Sequence, residues 1–200
     1  VDPSRAPAAA EATIAFEGGV PVAVDDDRMG PIALVERLNA LGAAHGVGRI
    51  DHVEDRLVGI KSREVYEAPA ATILHRAHRA LEGLTLTKDT LRFNRIVADE
   101  LAQLTYDGLW YSALHRDLRA YAASSQRVVS GEVRMLLDHG SATVVGRRSP
   151  LSLYDRDLAT YESSDAFDHA AAIGFIEIFG LPPRVEASRQ GAIGRHPGGD

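Results

Sequence analysis

The chain of 200 residues has no cysteine and no long apolar run, and these absences exclude several classes of protein. Without cysteine it can form no disulfide, no thiolate metal site and no covalent intermediate on a thiol. No stretch of about 18 apolar residues is present, so we predict no membrane-spanning helix. The N-terminal residues lack the basic and apolar regions of a signal peptide. Together these absences favour a cytoplasmic protein.

Positive charge is also scarce. The 22 Lys and Arg residues are outnumbered by 28 Asp and Glu, and the net charge of −6 gives no electrostatic support for binding nucleic acid or a membrane surface. The motifs GxGxxG, GxxxxGK[ST] and GxSxG are absent, so dinucleotide-binding and P-loop chemistry are not indicated. The chain starts without methionine, which processing or excision from a longer chain would explain.

The fold class follows from the order of strand and helix signals. Apolar residues make up 45% of the chain, as in ordinary globular proteins. Hairpins and helices do not alternate regularly, which predicts an α+β fold with a mainly antiparallel sheet, several helices and an extended C-terminal tail. The predicted strands are two runs in 12–24, Arg49–Val53 with Arg56–Ile60, Gly131–Leu137 with Ser141–Arg147, and Ile173–Phe179. The two residues Glu54-Asp55 separate the second pair, which predicts a hairpin turn or a bulged strand there. The predicted helices are Pro31–His45, Pro69–Glu82, Thr87–Tyr106 and Ser112–Ser125.

Three regions are expected along the chain. Residues 1–11 are rich in Ala and Pro and are interpreted as a linker. Residues 12–181 carry the strand and helix signals and form one domain. Residues 182–200 contain several glycines and little that could be buried, so a disordered tail is expected there.

A few side chains outside the charged centre of the chain could carry chemistry. His75 and His78 lie three residues apart on one side of a predicted helix, as a metal pair would. No third ligand is apparent, so a structural role is favoured. Arg147 and Arg148 could bind a carboxylate or phosphate, although surface ion pairs are the more common role of such residues. Trp110 is predicted to be a packing anchor.

The segment Gly48–Pro69 concentrates charge to an unusual degree. Its charged residues alternate with β-prone ones, so composition alone favours an exposed hairpin with paired charges. Eight of these charged residues fall within 16 positions: Arg49, Asp51, Glu54, Asp55, Arg56, Lys61, Arg63 and Glu64.

A family resemblance gives this segment a second interpretation. GVGRIDHVEDRLVGIKSREVYEAP resembles a stretch of the argininosuccinate synthases. The resemblance extends in order through FEGGVPVAV, LVERLNALGAAHG, LTYDGLWYS, SGEVRMLL and GRRSPLSLYDRDLATY, from Ala12 to Leu181. It implies the C-terminal synthetase domain and its oligomerising segment, within a homotetramer.

The resemblance also implies a reaction. These enzymes use ATP, with magnesium, to join citrulline and aspartate into argininosuccinate during arginine biosynthesis, releasing AMP and pyrophosphate. Their ATP-binding domain carries an SGGxDTS-type motif that the present 200 residues lack. ATP and aspartate are therefore expected to bind mainly outside this chain, and we expect the chain alone to be catalytically inactive.

Two citrulline contacts carry over from the family, Glu54 in VEDR and Tyr66 in REVYEAP. A carboxylate such as Glu54 can accept charge-assisted hydrogen bonds from the ammonium group of citrulline. Tyr66 can hydrogen-bond one end of the ligand and cover its apolar stem. Lys61 and Arg63 are candidates for supporting Glu54 or for offsetting charge near the citrulline adenylate that these enzymes form. No catalytic residue or metal ligand is predicted.

Two other functions remain open. The chain could be a non-catalytic oligomerisation or regulatory module derived from the same domain. It could also be a metal-dependent hydrolase that uses His75 and His78.

Overall fold

A computed structural model describes residues 2–156 and 170–190, and the chain divides into two units, residues 1–154 and 155–200. The first unit is α+β, as predicted. Its strands are β1 (Ala10–Glu17), β2 (Val20–Val24), β3 (Asp27–Arg28), β4 (Arg49–Asp55), β5 (Lys61–Glu67), β6 (Gly131–Asp138) and β7 (Ser141–Arg148). Its helices are α1 (Pro31–Ala44), α2 (Pro69–Thr85), α3 (Lys88–Tyr106) and α4 (Ala113–Ser125).

Five strands form one antiparallel sheet in the order β3-β2-β1-β6-β7. In β1 every second residue is buried (Ala12, Ile14 and Phe16), and β6 repeats this alternation. Side chains alternate between the two faces of a strand, so these residues form one apolar face of the sheet. That face belongs to the same buried core as residues of α1 and α2.

Helices α1 and α2 pack side by side in the core and determine where the second, smaller sheet begins. Each helix has a proline in its first turn, a position where the missing N–H costs nothing. Gly42 of α1 lies so close to Pro69 and Ile73 of α2 that an added Cβ would come within 3.0 Å of both side chains. Strand β4 follows α1 and β5 leads into α2, so the β4–β5 hairpin grows from the junction of these two helices.

Most predicted elements are confirmed, and one hairpin is shifted. The predicted strand Arg56–Ile60 is wrong, because these residues form the turn between β4 and β5. The Arg56 N–H donates to the Ile60 carbonyl, and Gly59 has φ +79°. A glycine with positive φ is typical of a hairpin turn. Helix α2 also runs past Gly83 to Thr85, and the predicted linker 1–11 contains a 3-10 turn at Pro3–Arg5 and the start of β1.

The described part of the second unit is helical. Helix α5 spans Ala171–Phe179, so the predicted strand Ile173–Phe179 is wrong. Helix α6 spans Leu181–Gln190 and occupies the first part of the expected disordered tail, 182–200. The rest of that tail, 191–200, lies outside the described residues.

The sequence predicts no membrane-spanning helix. None of the helices in 2–156 or 170–190 has the length and apolar character needed to cross a bilayer.

Candidate functional site

The β4–β5 hairpin is fixed at its base by a close contact between Gly48 and Pro69. The Ala68 N–H donates to the Gly48 carbonyl at 2.9 Å, which closes the hairpin where α2 begins. Gly48 has φ +100°, and an added Cβ would lie 2.5 Å from both the N and the Cα of Pro69. Only glycine fits this backbone and this space. The hairpin therefore leaves the core at a defined point.

The register of the two strands places both predicted citrulline contacts on the same face. Ile50 pairs with Tyr66, His52 with Glu64, and Glu54 with Ser62. Because side chains alternate between faces, these six residues share one face of the hairpin. We call it the Glu54 face.

On the Glu54 face, three side chains form a connected group. The Tyr66 hydroxyl donates to Oε1 of Glu54 at 3.1 Å, and Nε2 of His52 lies 3.1 Å from Oε2. The His52 and Tyr66 rings meet edge to face, with centroids 5.5 Å apart. Both carboxylate oxygens of Glu54 are thus held in place, while 25% of its side chain stays exposed. The group forms a fixed negative charge that a ligand can reach.

The surroundings of Tyr66 strengthen its hold on the phenol proton. Desolvation raises the pKa of the Tyr66 phenol, and its hydrogen bond to Glu54 raises it further. The charges of Glu54, Glu64 and Tyr106 act in the same direction. Tyr66 therefore remains a hydrogen-bond donor at neutral pH, beside a carboxylate that can accept from a ligand ammonium.

The opposite face of the hairpin holds a separate set of ion pairs. Lys61 Nζ lies 2.6 Å from Asp55, and Arg63 forms a two-pronged contact with Asp51 at 2.9 and 2.6 Å. The hydrogen bond from Arg63 lowers the pKa of the Asp51 carboxyl. The prediction that Lys61 and Arg63 support Glu54 is wrong, because strand alternation turns them away from it. The predicted exposed hairpin with paired charges is confirmed.

Helix α2 begins three residues after Tyr66, and the N–H groups at the start of a helix can bind an anion. The Ala70 N–H, one of the first donors of this helix, instead donates to Oδ1 of Asn39 at 2.9 Å. That donor is therefore used within the domain.

The two histidines of α2 differ, since His75 is exposed and His78 has structural contacts. Nε2 of His78 lies 2.9 Å from Oε1 of Gln126, and its ring packs against Phe16 with centroids 5.8 Å apart. Gln126 in turn donates to Glu82 at 2.7 Å. Over residues 2–156 and 170–190, no group of three or more His, Asp or Glu is arranged to hold a metal ion.

Arg147 and Arg148 have structural contacts, whereas Trp110 is largely exposed. Arg148 pairs with Glu132 at 2.8 Å, and Arg147 donates to the Ala80 carbonyl. The prediction for Trp110 is wrong. Its side chain is 54% exposed and meets the His115 ring at its edge.

His52 is the member of the group that sequence reasoning missed. A residue two positions before Glu54 lies on the same face if both are in one strand. The predicted turn at Glu54-Asp55 concealed this relation, whereas Gly59 was the better turn signal.

Comparison with known proteins agrees with the resemblance. The family model described as the arginosuccinate synthase C-terminal domain matches residues 1–186. An argininosuccinate synthase from Synechococcus sp. (strain JA-3-3Ab) is 58% identical over 174 residues, covering 87% of this chain and 43% of the relative. The enzyme from Dehalococcoides mccartyi (strain CBDB1) is 53% identical, covering 88% of this chain and 44% of the relative. The enzyme from Streptococcus suis (strain 05ZYH33) is 51% identical, covering 92% of this chain and 47% of the relative. The chain therefore spans less than half the length of these relatives.

Proposed function

The chain belongs to the argininosuccinate synthase family, and we propose that it supplies part of the citrulline site of such an enzyme. The complete enzyme joins citrulline and aspartate in arginine biosynthesis, using ATP and releasing AMP and pyrophosphate. This chain contributes a surface that holds one substrate. Activation of citrulline by ATP with magnesium, and most contacts to aspartate, belong to the remaining part of the enzyme.

The observation that carries the proposal is the contact between Glu54 and Tyr66. The family resemblance selected these two residues from separate motifs, and they lie on one face with a 3.1 Å hydrogen bond between them. Two residues taken from separate motifs therefore meet at one place on the surface of the hairpin. The hairpin base at Gly48 gives the pair a defined position relative to the core.

The chemistry of the pair suits a zwitterionic amino acid. Glu54 accepts hydrogen bonds from the citrulline ammonium, and its negative charge strengthens them. Tyr66 directs its hydroxyl to Glu54 and presents its ring to the apolar stem of the ligand. Both residues bind and orient the substrate, and neither forms a bond to it.

The second unit supports assembly into a homo-oligomer, which we propose is a tetramer in the cytoplasm. Large apolar side chains of α5 are exposed, a pattern typical of subunit interfaces. They are Ile173 (66%), Phe175 (63%), Ile176 (66%), Ile178 (72%) and Phe179 (73%).

Joining this chain to the missing part tests the proposal. We would fuse it to the N-terminal remainder of the Synechococcus relative and measure argininosuccinate formation from citrulline, aspartate and ATP. The fusion, called the hybrid enzyme below, is expected to form product, whereas the 200-residue chain alone is not. A folded hybrid enzyme with no activity, or an active isolated chain, would contradict the proposal.

A further inference from the structure

His52 touches the carboxylate that is proposed to bind citrulline, yet neither the resemblance nor the proposed function gives it a role. Its Nε2 lies 3.1 Å from Oε2 of Glu54. Its side chain is 44% exposed, so solvent protons reach it. The Tyr66 hydroxyl occupies the other carboxylate oxygen, so His52 and Tyr66 hold Glu54 from two sides.

Several charged groups of the hairpin lie around His52. Glu64 is its direct partner on β5, and Arg56 of the turn pairs with Glu64 at 3.2 Å. Asp51, the preceding residue, lies on the opposite face and is paired with Arg63. The hydrogen bond from Arg63 is the larger cause that lowers the pKa of the Asp51 carboxyl, and the charge of His52 nevertheless lowers it further. The titratable groups facing His52 on its own face are Glu54, Glu64 and Tyr66, and Tyr106 of α3 acts electrostatically on Tyr66.

Protonation of His52 changes the charge at Glu54 without removing the contact. A neutral imidazole with its proton on Nε2 donates to Oε2 and leaves the carboxylate charge available to a ligand. An imidazolium donates through the same atom and brings a positive charge beside Glu54. Histidine is the side chain that ordinarily makes this change between about pH 5 and 8.

We propose that His52 is a positioning residue that sets the pH dependence of citrulline binding. The neutral form orients Glu54 towards the substrate ammonium, and the protonated form offsets the charge that the ammonium requires. This inference rests on the proposed function, because it concerns the same substrate. Exposed ion pairs have small energies, so we expect the KM for citrulline to rise about two- to fivefold as His52 becomes protonated.

The test compares the KM for citrulline in the hybrid enzyme between about pH 6 and pH 8. His52→Gln keeps a neutral amide donor, so its KM should match the parent at high pH and lack the additional rise at low pH. His52→Leu removes the donor, so its KM should be higher than the parent value at high pH and also lack that rise. In both variants kcat should change little, since His52 acts on binding.

A histidine elsewhere provides the matched control. His139, in the turn between β6 and β7, contacts Asp138 and lies outside the β4–β5 hairpin. His139→Gln should keep the parent pH profile. An unchanged KM profile in His52→Gln, or the same change in His139→Gln, would overturn the proposal.

A measurement without substrate separates this proposal from the proposed function. In the 200-residue chain, the ¹³C shift of the Glu54 carboxyl should change at the pH where the His52 imidazole titrates, and this change should vanish in His52→Gln. If it is absent from the parent chain, the role of His52 is refuted even when the hybrid enzyme is active. If it is present but the hybrid enzyme is inactive, the proposed function fails instead.

Discussion

Replacement of Gly48 by alanine should destabilise the chain and displace the hairpin that carries Glu54. Gly48 has φ +100°, and the new Cβ would lie 2.5 Å from the N and Cα of Pro69. A non-glycine residue in such a conformation costs about 1–3 kcal/mol. The contact is with backbone atoms, which cannot rotate away, and overpacking of this kind costs about 1–3 kcal/mol more. The sum for Gly48→Ala is therefore about 2–6 kcal/mol.

Gly59 supplies the matched control, because it shares the positive φ but not the crowding. Its φ is +79°, and no atom lies within 4 Å of an added Cβ. Gly59→Ala should therefore cost only the conformational part, about 1–3 kcal/mol. The free energy of unfolding, measured by urea denaturation of both variants, gives the steric part by difference. If Gly48→Ala costs no more than Gly59→Ala, the account of the hairpin base is refuted.

Three further predictions concern the core, the candidate site and the second unit. Ile14→Ala truncates a fully buried side chain and should lower the free energy of unfolding in urea by about 2–5 kcal/mol. Ile32→Ala, at a position that is 75% exposed, is the control and should change that free energy by no more than about 0.5 kcal/mol. A ¹³C NMR titration that resolves the Tyr66 ring should show it ionising at a lower pH in Glu54→Gln than in the parent, because the hydrogen bond and charge of the Glu54 carboxylate raise the pKa of the phenol beyond the effect of desolvation. The folded state binds the phenol proton more tightly than the unfolded state, so this contribution to stability is present below the ordinary tyrosine pKa and is lost as pH rises through the raised one. Ile178→Glu in α5 should reduce the sedimentation coefficient of the hybrid enzyme, and an unchanged coefficient would exclude this helix from the subunit interface.

Local sequence signals predicted most of the first unit because the packing agrees with them. In β1 and β6 the alternation of apolar residues matches the buried face of the sheet. The starts of helices α3 and α4 were also predicted from the sequence. Thr87 and Ser112 accept hydrogen bonds from the N–H groups of Thr90 and His115, as helix caps do.

The shifted hairpin shows where local signals conflict. Val58 and Ile60 favour strand by composition, but Gly59 between them has a positive φ that fixes the turn. Placing the turn at Glu54-Asp55 removed Glu54 from its strand. The prediction therefore missed the contact of Glu54 with His52.

Helix α5 shows a different conflict. Isoleucine and phenylalanine favour strand by propensity, and a run that is apolar on all sides has no periodicity that separates strand from helix. A helix satisfies its backbone hydrogen bonds within its own segment, so α5 needs no neighbouring strand. Composition alone could not predict this outcome.

The role of Glu54 and Tyr66 in citrulline binding is tested most directly by the KM for citrulline in variants of the hybrid enzyme. Loss of a hydrogen bond to a charged group is worth about 1.5–3 kcal/mol, so Glu54→Gln should raise KM about ten- to a hundredfold, and Tyr66→Phe should raise it less. Glu67→Gln is the control, since Glu67 pairs with Arg49 on the opposite face. KM should be raised in Glu54→Gln and unchanged in Glu67→Gln. An effect of Glu54→Gln no larger than that of Glu67→Gln would show that Glu54 does not bind citrulline.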